Sequence, residues 1–86
     1  MPEISRFFGI IIAMNYKEQA PPRFQVKYGD QRAAFEILDF EIIEGSLPRR
    51  AVSLILEWAF EHRKELIENW HKAEGGENLL KIPPLE

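Results

Sequence analysis

The feature that most constrains this chain is one long stripe of mostly apolar residues at helical spacing after Ser46. Members of the stripe recur every three or four residues, as on a helix with one buried face. They are Leu47, Ala51, Ile55, Trp58, Ala59, His62, Leu66, Trp70 and Ala73. The pattern predicts one helix over about residues 47–74, with Ser46 as its N-cap and Pro48 in its first turn.

Gly75-Gly76 is expected to end this helix, because glycine readily adopts the backbone conformation that follows a helix. A helix of this length spans about 40 Å at 1.5 Å per residue. A strand of five to seven residues is too short to lie under all of it. We therefore expect the last turns to overhang the sheet or to bend.

Alternating side chains upstream of the helix predict an antiparallel meander. Residues 7–16 are expected to form a first strand, because they are rich in β-branched and aromatic types and apolar on both faces. Residues 23–28 and 31–37 alternate polar with apolar side chains and flank a Gly-Asp dipeptide, which predicts a hairpin. After a further reversal, residues 40–44 are expected to form a short fourth strand.

These elements predict a single α+β domain of 86 residues. Its antiparallel β-meander of three to four strands, about residues 6–45, packs against one long C-terminal helix. An extended tail follows over residues 77–86. Ile82 and Leu85 of this tail are expected to pack onto the body of the domain.

A second apolar row lies beside the first stripe on the predicted helix. It consists of Val52, Leu56, Phe60 and Ile67. One face of a small sheet does not cover both rows, so two interpretations stand. Either the buried face is simply wide, or the surplus row, or the uncovered side of the first strand, forms a homodimer.

Composition argues against several classes of function. The net charge is −3, and charges of both signs are spread through both halves, so nucleic acid is not a favoured partner. The absence of cysteine excludes disulfides and thiolate chemistry, and a small chain without such links suggests a reducing, cytoplasmic location. The apolar run at residues 7–14 is far shorter than the roughly 20 residues of a membrane-spanning helix, so no membrane association is expected.

Motifs for catalysis or cofactors are missing from the sequence. No phosphate-binding glycine loop occurs, and no serine has a base at a recognisable spacing. His62 and His71 are nine residues apart on one helix and point in opposite directions, so they do not share a metal. His62 is expected to be a half-buried packing residue and His71 to be exposed. These observations lean away from an enzyme and imply neither a cofactor nor a metal.

Arg49 and Arg50 stand out because cations at the start of a helix oppose its macrodipole. Two interpretations follow. Either they form ion pairs with Glu41 or Glu44, or they contact an anion or an acidic partner.

Four blocks of sequence resemble one family in the same order: MPEISRFFGIIIAM, PPRFQVKYGD, EGSLPRRAVSLILEWAFEHRKELIENW and KIPPLE. The chain resembles the bacterial DUF4160 family over essentially its whole length. That resemblance implies a small cytosolic bacterial protein of undetermined activity. Its relatives are often encoded beside a DUF2442 protein and are sometimes labelled toxin–antitoxin components.

The resemblance also directs attention to one loop. Many relatives read PPHFHV where this chain has PPRFQV, so Arg23 and Gln25 replace two histidines. Neither is a usual metal ligand, although the guanidinium of Arg23 can bind an anion or a carboxylate. The candidate binding residues are therefore Arg23, Gln25, Lys27, Tyr28 and Arg32 on the hairpin, together with Arg49 and Arg50.

The favoured hypothesis is a non-enzymatic protein-interaction module with a DUF2442-like partner, as one component of a toxin–antitoxin-like cassette. The alternative is an RNA-cleaving toxin or nucleic-acid binder that uses basic residues of the hairpin over residues 20–32 and of the helix N-terminus. A metal-dependent or small-molecule-dependent enzyme is the third hypothesis.

Overall fold

Five strands followed by two helices make up the chain in a computed structural model that describes residues 2–86. The elements are β1 (Glu3–Phe7), β2 (Ile10–Ala13), β3 (Arg23–Tyr28), β4 (Gln31–Glu36), β5 (Ile42–Gly45), α1 (Arg49–Glu61) and α2 (Arg63–Glu74). The strands form one antiparallel sheet in the order β1-β2-β3-β4-β5. The predicted α+β class and antiparallel meander are thus confirmed, but the predicted three to four strands and single long helix are wrong in number.

The extra strand arises because the chain reverses inside the predicted first strand. Phe8 and Gly9 both have positive φ, 48° and 78°, as the central residues of a type I′ turn require. Phe7 pairs with Ile10 across this turn. The sequence concealed the reversal, because a bulky residue such as phenylalanine rarely adopts positive φ.

The β3–β4 hairpin forms where it was predicted. β3 has the predicted bounds, and β4 ends at Glu36, one residue before the predicted end. The next strand is β5 at Ile42–Gly45 rather than residues 40–44. Phe40 lies outside it because its φ of 58° is incompatible with an extended strand.

The core lies between one face of the sheet and the two helices. The Trp58 ring packs on Phe7, with centroids 5.4 Å apart, and edge-on against Phe24 at 6.1 Å. Phe24 in turn stacks on Phe35 at 5.3 Å. The predicted helical stripe is confirmed, since these members are buried: Ala51, Ile55, Trp58, Ala59, Leu66, Trp70 and Ala73.

The single predicted helix is interrupted at His62. This residue has φ −114° and ψ 24°, so α1 ends at Glu61 and α2 begins at Arg63. The His62 amide still donates to the carbonyls of Trp58 and Ala59. The interruption divides the predicted helix near its middle, and buried residues continue on both sides of it.

The start of α1 also differs from the prediction. Pro48, not Ser46, is the N-cap, and it makes no side-chain capping bond because proline has no side-chain acceptor. The Ser46 amide instead donates to the carbonyl of Arg32 in β4 at 3.2 Å. Ser46 therefore links the end of β5 to the sheet.

The C-terminal tail packs on the domain as expected. Ile82 is buried and Leu85 is half-buried against the core. The Ile82 amide donates to the carbonyl of Ile4 in β1 at 2.8 Å, and Nε1 of Trp58 donates to the carbonyl of Pro83 at 2.9 Å. Across residues 2–86, no helix is both long enough and apolar enough to cross a membrane.

Candidate functional site

Most of the predicted hairpin residues lie on the face of the sheet opposite the helices. Phe24 and Val26 of β3 point into the core, so the alternate residues Arg23, Gln25 and Lys27 point away from it. Cross-strand pairing sets Gln25 beside Ala34 on β4. We call this surface the outer sheet face.

Arg23 is already engaged within the protein. Its Nη1 donates to Oε2 of Glu44 at 3.2 Å, and its Nε donates to the carbonyl of Pro21 at 3.3 Å. The Arg23 side chain is largely covered, whereas that of Glu44 is exposed. An ion pair open to water on one side contributes at most about 1 kcal/mol. Arg23 thus forms the bridge to Glu44 that had been considered for Arg49 or Arg50.

The Gln25 side chain is hydrogen-bonded to the carboxylate of Glu18, a residue that was not among the candidates predicted from the sequence. Its Nε2 lies 3.0 and 3.1 Å from the two carboxylate oxygens of Glu18. Nδ2 of Asn15 donates to the same carboxylate at 3.3 Å. The loop between β2 and β3 thereby closes over the outer sheet face, a contact that no periodic pattern in a loop could have revealed.

Lys27 and Arg32 lie directly opposite each other on β3 and β4. Both are exposed, and within residues 2–86 neither forms an ion pair. Arg32 also borders a depression of about 210 Å³ that includes Gln25 and Glu44. The outer sheet face therefore mixes positive and negative charges.

Tyr28 and Arg50 meet at a separate place. They line a cavity of about 390 Å³ beside α1, together with Phe8, Ala51 and Leu54. The structure thus places Tyr28, a candidate residue on the hairpin, and Arg50, a candidate residue at the helix N-terminus, around the same cavity. Phe8 was missed as a site residue because it lay inside the predicted first strand.

A different side of α1 carries an exposed apolar surface, as the second apolar row of the sequence suggested. Val52, Leu56 and Ile67 are half-buried, but Phe60 is 76% exposed. The guanidinium of Arg63 lies 4.4 Å from the ring centroid of Phe40 and 5.9 Å from that of Phe60. We call Phe40, Leu56, Phe60 and Arg63 the α1 flank surface.

The histidines occupy the positions expected of them. His62 is half-buried, packs on the Trp58 ring at 5.7 Å and places Nδ1 2.6 Å from Oε1 of Glu65. His71 is exposed beside Glu74. In the part of the chain that the structure describes, no group of three or more histidine, cysteine or acidic residues could hold a metal ion.

One ion pair on β1 perturbs the ionisation of its members. Arg6 donates hydrogen bonds of 2.7 and 3.1 Å to the carboxylate of Glu3. These bonds hold the pKa of Glu3 below its usual value and raise the pKa of the Arg6 guanidinium. The pair lies at the edge of the sheet, where it is open to water.

Comparison with known proteins identifies a family for this chain. No curated protein and no solved structure matches the chain. The family described as "Domain of unknown function (DUF4160)" matches residues 9–71, which include β2 to β5, all of α1 and most of α2. Because this match covers well over half of the chain, the protein belongs to the DUF4160 family.

Proposed function

We propose that this protein is a non-enzymatic protein-interaction module of the cytosol and that it contacts a folded partner through the α1 flank surface. The observation that carries the proposal is the exposure of Phe60 beside Phe40 and Arg63. Burying a phenylalanine side chain is worth about 1.5–3 kcal/mol. Aromatic residues and arginine are also the types found most often in the centres of protein interfaces.

The edge of the sheet formed by β5 also supports contact with a partner protein. Ile42 of β5 pairs with the buried Phe35, so it faces the helix side of the sheet, yet it is 37% exposed. β5 is an outer strand, and among residues 2–86 only β4 pairs with it. An unpaired strand edge next to apolar side chains supports association with another protein.

For the partner, we propose a DUF2442-like protein encoded beside this one, in a toxin–antitoxin-like cassette. The family resemblance suggests this partner. A second copy of the chain is the competing occupant, since the same apolar surface could form a homodimer.

Co-purification with the product of the neighbouring gene, followed by light scattering, tests the proposal. We expect a complex of defined stoichiometry that is lost in Phe60→Asp, because the variant removes the apolar ring and places a carboxylate that would have to lose its hydration in the interface. Glu57→Asp, a charge-conserving change elsewhere on α1, is the control and should leave the complex intact. A chain that stays monomeric and fails to retain its neighbour would overturn the proposal, whereas a homodimer lost in Phe60→Asp would identify a second copy as the occupant.

A second candidate function rests on Lys27 and Arg32. Like charges directly opposite in a sheet repel, and a bound phosphate could offset that repulsion. Arg23 is less available for this role, because Glu44 neutralises it, and Glu18 adds a further negative charge nearby. This nucleic-acid binder or RNA-cleaving toxin is therefore the less favoured proposal.

Fluorescence anisotropy with a labelled single-stranded RNA separates the two functions. The interaction-module proposal expects no salt-dependent binding and no growth arrest on expression. Binding or growth arrest that disappears in Lys27→Gln/Arg32→Gln, but persists in Lys64→Gln, would favour the nucleic-acid function.

A further inference from the structure

The cavity between the β1–β2 turn and α1 combines apolar walls with a single cation. Phe8, Tyr28 and Leu54 supply most of the apolar lining, and Arg50 supplies the charge. Its volume of about 390 Å³ is within the range of about 300–1,000 Å³ that is typical of ligand-binding clefts. The site therefore suits a group that is apolar over most of its surface and negatively charged at one end.

Phe8 is an unusual residue for its position. It adopts a φ of 48° in a turn that normally takes asparagine, aspartate or glycine, and it is 61% exposed. Its ring lies edge-to-face against that of Phe7, with centroids 6.5 Å apart. An exposed aromatic ring in a disfavoured backbone conformation at the mouth of a cavity is an outlier that points to function.

Arg50 provides a charge that the protein itself does not neutralise. Among residues 2–86, no carboxylate lies within ion-pair distance of Arg50. Glu41 and Glu44 had been considered as its partners, but Glu44 binds Arg23 instead. The cavity is thus complementary to an anion.

We propose that this cavity binds a peptide segment of a partner protein in which a large apolar side chain stands next to a carboxylate. The apolar side chain packs between Phe8, Tyr28 and Leu54, and the carboxylate accepts hydrogen bonds from the guanidinium of Arg50. The cavity is open to solvent on one side, so it suits an anchor residue of a longer chain better than a small molecule. Phenylalanine, tyrosine and arginine are also typical of peptide and protein contacts.

This inference rests on the proposed function, because a peptide segment has to come from a partner protein. It adds a second contact on a different side of α1. Leu54 in the cavity and Leu56 in the α1 flank surface are two residues, or about 200°, apart around the helix. A partner that uses both surfaces would therefore contact α1 on two sides.

Two capped dipeptides serve as probes in an NMR titration of the isotope-labelled full chain. They are N-acetyl-Asp-Phe-amide and N-acetyl-Asn-Phe-amide, which differ only in the carboxylate. We expect both to shift amide signals around Phe8, Tyr28 and Leu54, with the asparagine probe binding about fivefold more weakly, as befits an ion pair open to water. No localised shift at the cavity would overturn the inference.

Variants test the two halves of the site separately. Arg50→Gln should abolish the difference between the probes, whereas Arg49→Gln, which removes the same charge from the neighbouring residue, should retain it. Phe8→Asn should weaken both probes, and it suits the positive φ of the turn, so the fold is expected to survive. Equal probe affinities in the natural chain, or an unchanged preference in Arg50→Gln, would contradict the carboxylate assignment.

The peptide titration can fail independently of the proposed function. If the product of the neighbouring gene binds but neither probe shifts the NMR signals at the cavity, the peptide-binding inference is wrong and the proposed interaction module is still supported. Probe binding at the cavity without any protein complex would support the cavity and overturn the wider proposal.

Discussion

The side chain of Asn69 makes two hydrogen bonds to the backbone of Leu80. Nδ2 donates to the Leu80 carbonyl at 2.8 Å, and the Leu80 amide donates to Oδ1 at 2.9 Å. Asn69 is only 1% exposed, so this buried amide has its polar groups satisfied by the tail. The pair ties α2 to the segment whose Ile82 reaches β1.

We therefore expect Asn69→Ala to lower the free energy of unfolding by about 1–3 kcal/mol, because two hydrogen bonds are lost and two backbone groups lose their partner. Urea denaturation followed by tryptophan fluorescence measures this change. The control is Asn78→Ala in the exposed part of the tail, which should change stability by no more than about 0.5 kcal/mol. Equal losses in the two variants would show that the Asn69 pair does not hold the tail.

Two glycines with positive φ offer a matched comparison. A Cβ at Gly45 would lie 2.1 Å from the carbonyl oxygen of Arg32, whereas a Cβ at Gly29 would meet no heavy atom within 4 Å. Gly29→Ala should cost only the backbone penalty of about 1–2 kcal/mol. Gly45→Ala adds a collision with backbone and should cost about 3 kcal/mol or more in total. Thermal and urea unfolding of both variants check the order, and a Gly29→Ala protein less stable than Gly45→Ala would contradict it.

The pH dependence of the Glu3–Arg6 pair has a defined sign. Because hydrogen bonding from Arg6 lowers the pKa of Glu3 in the folded chain, the pair stabilises the fold above the ordinary value of 4.5. This contribution is lost as the pH falls from 4.5 through the lowered pKa. Carboxyl NMR titration should therefore give Glu3 a pKa below 4.5, and Arg6→Gln should move it upward. A Glu3 pKa that does not respond to Arg6→Gln would contradict the assignment.

Placing histidines at positions 23 and 25 should create a metal site on the outer sheet face. Positions 23 and 25 point to the same side of β3, and Glu44 and Glu18 contact the residues now found there. Two imidazoles and a carboxylate suit zinc. We expect Arg23→His/Gln25→His to bind Zn²⁺ in isothermal titration calorimetry, while each single variant binds at least about tenfold more weakly because it lacks one ligand. Equal affinity in the double and single variants would show that the two positions do not converge.

Much of the fold was predictable because its signals are local. The stripe through Ala51, Ile55 and Trp58 identified the buried face of α1, since helical periodicity reflects burial directly. The alternation of polar and apolar side chains on either side of Gly29 similarly identified the β3–β4 hairpin. The predicted burial of Ile82 also proved correct, since a large apolar side chain gains free energy by leaving water when the tail lies on the domain.

Other features could not be read from the sequence pattern. The reversal at Phe8 was concealed because a phenylalanine turn contradicts the usual preference, and the interruption at His62 because the stripe continues through it. Sequence reasoning selected Tyr28 and Arg50 for separate reasons, but only folding placed them around one cavity with Phe8.

The sequence by itself determined the class of the fold and the buried stripe of the helices, because both follow from periodicities of two and of about 3.6 residues. Tertiary structure alone decided which of Arg23 and Arg50 is neutralised. Glu44 pairs with Arg23 and leaves Arg50 without a partner among the described residues, an outcome set by the register of β4 and β5. An ion pair between separate strands depends on distances of a few ångströms, and no local pattern encodes such distances.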